Sequence, residues 1–62
     1  MKLKELREEY NVSHQEIAKH LNVKQNTYSQ YETGKRQLPI DVLIKLAKFY
    51  KVTTDYILEL ED

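Results

Sequence analysis

Residues Ser13 to Arg36 read SHQEIAKHLNVKQNTYSQYETGKR, and the fold turns on how this stretch divides. Ser13-His14-Gln15-Glu16 has the Ser-x-x-Glu form. Its hydroxyl can accept from the amide three residues on while the Glu side chain reaches back, so a helix starts here. Ile17, Ala18 and Leu21 follow at helical spacing. Leu21-Asn22-Val23 then stops that helix, because Asn tolerates left-handed backbone and the apolar residue after it folds back onto the last turn. A second helix, with Tyr28 and Tyr31 three apart, runs to the single Gly34, a further stop of this kind. The spacing therefore predicts helices over 14–21 and 25–33, joined by the tight turn Asn22-Val23-Lys24. Lys24 is a poor cap, so the second helix has the weaker start.

The same punctuation recurs outward from this stretch. Tyr10-Asn11-Val12 and Tyr50-Lys51-Val52 repeat the apolar, polar, Val pattern. Lys51 suits left-handed backbone less well than Asn, which predicts mild strain there. Thr53 can cap a last helix, with Asp55 in its first turn favoured by the macrodipole. Pro39 suits the first turn of a helix beginning near Leu38, with Asp41 close behind. The remaining helices are then 2–10, 39–50 and 54–60. Their inward stripes are Leu3, Leu6 and Tyr10; Ile40, Leu43, Leu46, Ala47 and Tyr50; and Tyr56, Ile57 and Leu60. Tyrosines at these positions read as core or helix-end residues, and Tyr28 as core. Val42 and Phe49 sit off the main face of their helix, and Leu58 off its own. With one Gly, one Pro and no Asn-Gly dipeptide there is little to build a hairpin from. The expected fold is all-α, a compact five-helix bundle with short connections, forming one domain over 1–62.

Composition narrows the function classes. A chain of 62 residues buries only about 60% of the surface its unfolded form exposes. A catalytic pocket of several hundred Å³ would compete with that core. Glu16, His14 and His20 share one short helix, with no second acid or nucleophile converging on them by spacing. No enzyme activity and no cofactor are expected. With no Cys and two His, no disulfide and no metal site are expected either, which fits a reducing, cytoplasmic setting. No apolar run approaches 18 residues and no export signal is visible. His20 reads as a solvated residue near a helix C-terminus, where its cation is mildly favoured. The formal net charge is zero, from ten basic and ten acidic residues. The distribution is uneven: Lys19, Lys24, Lys35 and Arg36 face only Glu32 within 19–36, whereas Asp55, Glu59, Glu61 and Asp62 make the end acidic. Fields are local within a Debye length of ~10 Å, so a neutral chain can carry a positive face.

Two helices joined by a turn of three or four residues form a helix-turn-helix, with Ala18 as the small residue where they approach. Beyond that arrangement, the residues from Ser13 to Val23 and from Lys24 to Arg36 resemble the DNA-binding domain of the Cro / phage-repressor / Xre family of bacterial regulators. The YETGK phrase from Tyr31 to Lys35 is quite specific. IDVLIKLA from Ile40 to Ala47, the run Lys51 to Ile57, and Leu3-Lys4-Glu5-Leu6-Arg7 are similar to the rest of that domain, so the resemblance covers 2–60. Asn11 and Asn22 stand where the family usually has Gly, and His14 where it commonly has Gln.

The resemblance implies a sequence-specific, double-stranded-DNA-binding transcriptional regulator, a repressor, in a bacterial or phage nucleoid. The second helix of the motif would lie in the major groove with its N-terminal residues at base edges. It places Gln25, Asn26 and Gln30 at base-contacting positions, and Ser29 shares their face. Asn and Gln can bond bidentately to adenine, which predicts A·T pairs in the outer half-sites. His14, Gln15, Lys24, Thr27, Lys35 and Arg36 are the expected phosphate contacts. Arg7 and Glu32 occupy positions that pair in relatives, as a structural ion pair. Half-sites about 34 Å apart call for a symmetric homodimer, with Val42, Phe49 and Leu58 as candidates for its surface. Such a dimer is weak and DNA-assisted, or the chain is a trimmed piece of a larger protein. The rival reading is a protein-binding module, an antitoxin or adaptor. The polar second helix with Lys35-Arg36 beside it favours DNA, where an apolar stripe along 24–30 would have favoured protein.

Overall fold

The computed structural model describes residues 1–60. They form five helices and no strand: α1 Leu3–Glu9, α2 His14–Leu21, α3 Gln25–Thr33, α4 Ile40–Tyr50 and α5 Thr54–Leu58. Glu61 and Asp62, counted above in the acidic end, lie outside the described residues.

Four of these helices close with one device. Asn11, Asn22, Lys51 and Glu59 take left-handed backbone, with φ of 56°, 59°, 58° and 60°. The residue after each returns its N–H to a carbonyl five residues back. Val12 donates to Arg7 at 2.9 Å, Val23 to Ala18 at 3.0 Å, Val52 to Ala47 at 3.0 Å and Leu60 to Asp55 at 2.9 Å. These bonds satisfy carbonyls that a helix end would otherwise leave bare. The stop at Glu59 was not expected; there Leu60 falls outside the helix and is 68% exposed, not part of an inward stripe. Gly34, at φ 82°, ends α3. Ser13 and Thr53 begin α2 and α5 by accepting from the amides of Glu16 and Tyr56, each at 3.0 Å. Lys24 opens α3 with no side-chain cap. Pro39 stands just before α4 in extended backbone, so this helix begins one residue later than expected. Likewise α1 begins at Leu3, with Tyr10 as its C-cap.

The core gathers one stripe from each helix: Leu3 and Leu6, Ile17 with Ala18 and Leu21, Tyr28 and Tyr31, Val42 with Leu46, Ala47 and Tyr50, and Ile57. α2 packs on α3 and on α4, and α4 on α5. The backbone N–H of Lys2 bonds the carbonyl of Ile57 at 2.9 Å, which ties α5 to the start of α1.

The expected stripe of α4 holds at Leu46, Ala47 and Tyr50, with Leu43 packed against it, and differs at its first turn. Its run of apolar residues admits two stripes, and the one that faces α2 and α5 together sets Val42, Leu46 and Tyr50 four apart. Val42 is 5% exposed, whereas Ile40 is 74% exposed. Val42 is therefore core and no self-association residue. Phe49 is half-buried, its ring edge-on to Tyr50 at 5.0 Å and beside His20 at 4.5 Å, and Leu58 is half-buried as well. His20 is exposed, but this stacking partner was not foreseen. The apolar residues that α4 does expose are Ile40 and Ile44, one turn apart. Tyr10, expected inside, sits at the rim: it is half-exposed, packs on the Tyr50 ring at 5.3 Å and donates its hydroxyl to the Tyr50 carbonyl at 3.2 Å.

Candidate nucleic-acid interface

α3 divides along its length by residue type. Tyr28 and Tyr31 bury one side against the core. Gln25, Asn26, Ser29 and Gln30 fall on the opposite flank by helical spacing; Gln25 and Asn26 are exposed, and Ser29 and Gln30 partly so. The four residues expected to meet bases are thus brought together on one outward flank. Thr27 is half-buried, at the edge between that flank and the Tyr31 stripe. Lys24 stands at the N-cap of α3, and Lys35 and Arg36 follow its C-terminus; all three are exposed. Gln15 is exposed in the first turn of α2.

The one acidic residue of α3 is turned away from this flank. Glu32 receives the Arg7 guanidinium in two hydrogen bonds, Nε to Oε2 at 3.1 Å and Nη2 to Oε1 at 3.2 Å. The side chains are 13% and 8% exposed, so the pair is largely shielded from water. A third Arg7 donor, Nη1, reaches the Val12 carbonyl at 3.2 Å and holds the turn between α1 and α2. Burial alone would raise the Glu32 pKa, but the Arg7 hydrogen bonds and charge outweigh it and hold the carboxyl below its ordinary value. The same bond to Glu32 raises the Arg7 pKa. The buried Tyr28 hydroxyl faces Glu32 without reaching hydrogen-bond geometry. Its pKa is pushed far up, by burial first and by the carboxylate second. Burial likewise pushes the Tyr50 hydroxyl up to about 12.

Two features of the site had no visible signal in the sequence. His14 does not simply face outward from the start of α2. Its Nε2 lies 3.5 Å from Glu32 Oε1 and its ring stands edge-on to Tyr28 at 6.0 Å, with the side chain 37% exposed. That contact depends on how α2 crosses α3, which no local pattern encodes. The second feature joins residues six apart. Arg36 donates its backbone N–H to the Gln30 carbonyl at 3.2 Å and its Nε to Gln30 Oε1 at 2.9 Å. Gly34 makes this possible, because its left-handed turn brings the chain back over the end of α3. The Thr33 hydroxyl caps the same Gln30 carbonyl at 3.4 Å.

The arrangement offers polar donors and acceptors on a helix narrow enough for a major groove, with cations at both ends and no carboxylate on the outward flank. Among the described residues no helix is long and apolar enough to cross a membrane.

Known proteins carry the same pattern. The chain is 33% identical over 98% of its length to YobD of Bacillus subtilis, an uncharacterized HTH-type transcriptional regulator, of which the match covers 54%. It is 40% identical over 92% of its length to the HTH-type transcriptional regulator ImmR of the same organism, covering 45% of that protein. The cryptic phage CTXphi transcriptional repressor RstR of Vibrio cholerae is 39% identical over 82% of the chain, with 46% of RstR covered. The chain therefore spans about half the length of the curated relatives it matches. No solved structure matches it. Residues 3–57, which take in all of α1 through α4 and most of α5, match the helix-turn-helix family, and to that family the chain belongs.

Proposed function

We propose that this chain binds double-stranded DNA in a sequence-specific way and regulates transcription as a repressor, with α3 in the major groove. The observation that carries the reading is the outward flank of α3, on which four polar side chains are presented while its one carboxylate is held inward by Arg7. Gln25 and Asn26 stand at the N-terminal end of α3, where the docking of such helices puts base contacts. They select A·T pairs, since each amide can pair with adenine N6 and N7. Ser29 and Gln30 extend the contact along the same flank. Gln15, Lys24, Lys35 and Arg36, with Thr27 and His14 at the margins, contact phosphates and fix the register. The names of ImmR and RstR, a regulator and a repressor, support the biological role.

A single motif reads few base pairs, so the operator is met by two chains on a two-fold axis. Ile40 and Ile44 are the apolar residues α4 leaves exposed, and we assign the weak, DNA-assisted contact between copies to them. The setting is the bacterial or phage nucleoid in the cytoplasm, with no cofactor and no catalysis.

Incubating the chain with random duplexes and sequencing those retained tests the reading. Enrichment of a two-fold-related site with A·T pairs in its outer half-sites is expected. Retention of no sequence over any other overturns it, and half-sites made only of G·C pairs remove the assignment of Gln25 and Asn26.

A further inference from the structure

Gln30 is not free to present its amide either way round. A carboxamide reads adenine by using both ends, with Oε1 accepting from N6 and Nε2 donating to N7. In this structure Oε1 is already engaged by Arg36 Nε at 2.9 Å. A guanidinium has donors and no acceptor, so the atom that faces it must be the oxygen. The second tether, from the Arg36 backbone N–H to the Gln30 carbonyl at 3.2 Å, keeps Arg36 over the same turn. Oε1 keeps a second lone pair, but the guanidinium beside it covers that edge with positive charge and N–H groups. What the pair offers most readily to a partner is therefore the Nε2 amide hydrogens and the free guanidinium N–H groups, which are donors.

We propose that Arg36 is a specificity-determining residue that acts through Gln30, turning it from an adenine reader into a donor that selects guanine. The inference rests on the reading of α3 as the major-groove helix. Guanine presents two acceptors, N7 and O6, along its major-groove edge, whereas adenine sets the N6 donor beside N7. A surface dominated by donors matches both acceptors of the first, whereas on the second it satisfies only N7 and meets N6 donor against donor. The bond from the cationic guanidinium also polarises the amide and strengthens Nε2 as a donor. Gln25 and Asn26 lie at the other end of the flank and keep their adenine preference, so the half-site mixes A·T pairs with one G·C pair at the position Gln30 meets.

The test is a binding-site selection run in parallel on the wild-type chain, Gln30→Ala and Arg36→Ala, reading relative base frequencies, not affinity. Gln30→Ala identifies its position by erasing the preference there. At that position the wild type is expected to favour guanine over adenine by about tenfold, within the range of one good base contact. Arg36→Ala frees the amide, and the guanine preference is expected to fall below about threefold or turn towards adenine. Both residues are exposed or nearly so, and a thermal melt confirms that each variant is folded. If Arg36→Ala weakens binding equally on all sequences and leaves the base frequencies unchanged, Arg36 acts on phosphates alone and the proposal fails while the DNA reading stands. A wild-type preference for adenine at that position also overturns it. If the wild type enriches nothing, the DNA reading fails and takes this proposal with it.

Discussion

Replacing Glu32 with Gln keeps the shape of the side chain and one acceptor for Arg7, but removes the charge. Exposed ion pairs contribute roughly 0.2–1 kcal/mol, and removing one member of a buried pair costs about 3–5 kcal/mol. With side chains 13% and 8% exposed, Arg7 and Glu32 stand between these limits. The amide oxygen that remains reduces the loss, so a cost of about 2 kcal/mol is expected at pH 7. A domain of this size holds roughly 3–5 kcal/mol in all, and each kcal/mol moves its Tm by about 4–8 °C. A fall of roughly 8–16 °C in a circular-dichroism melt follows. The pH dependence has a definite sign. Glu32 has its pKa lowered by folding, from an ordinary 4.5. Its contribution is complete above that value and is lost as the pH falls through the lower, folded pKa. The wild type and Glu32→Gln should therefore differ most at neutral pH, with the gap closing below pH 4.5. Arg7→Met should cost a similar amount, and the double variant little more than either single one. A gap below about 0.5 kcal/mol, or one unchanged between neutral and acid pH, would refute this account of the pair.

Other predictions concern backbone and packing. Lys51 takes left-handed backbone at φ 58°, so Lys51→Gly should stabilise by about 0.5–1 kcal/mol, and Asn22→Gly by less, as read from urea midpoints at constant slope. Gly34→Ala has open space around it but the same φ problem at 82°, and should cost about 1 kcal/mol. Val42→Ala should cost about 1–3 kcal/mol, while Ile40→Asp leaves the melt of the isolated chain nearly unchanged and weakens cooperative binding to a two-half-site duplex in a gel-shift titration.

The difference between Val42 and Ile40 shows where the sequence stops being legible. Helix ends were readable because each has a local cause: a Ser or Thr hydroxyl that accepts from an amide, an Asn that tolerates left-handed backbone, a Val that folds back. Where no residue type announces the conformation, as at Glu59, the stop was invisible although its geometry is the same. The first turn of α4 was ambiguous for a different reason. Eight of the eleven positions in IDVLIKLAKFY are apolar, so spacing alone lets either Ile40 or Val42 head the stripe that runs on to Leu46 and Tyr50, and only the placement of α2 and α5 decides between them. α3 posed no such difficulty, because its two tyrosines stand against a helix of otherwise polar residues. The motif residues were readable from their resemblance to a family; the Gln30–Arg36 bond and the approach of His14 to Glu32 were not, since both arise from how the chain returns on itself.

A chain of zero net charge that meets a polyanion should show its local field in the salt dependence. The one carboxylate of α3, Glu32, is paired with Arg7 and 8% exposed, while Lys24, Lys35 and Arg36 bracket the outward flank. If these three cations displace counterions from about three phosphates, one chain should give a slope of about −3 in log K against log salt, and two chains on an operator about −5. Fluorescence anisotropy on a duplex with one half-site and on a duplex with two separates these cases. Lys35→Ala should reduce the slope by about one per bound chain and weaken all sequences evenly, because a phosphate contact carries no base information. Overall neutrality predicts the opposite, a slope near zero. A flat salt dependence on both duplexes would mean that charge summed over the whole chain, not its placement around α3, governs the encounter.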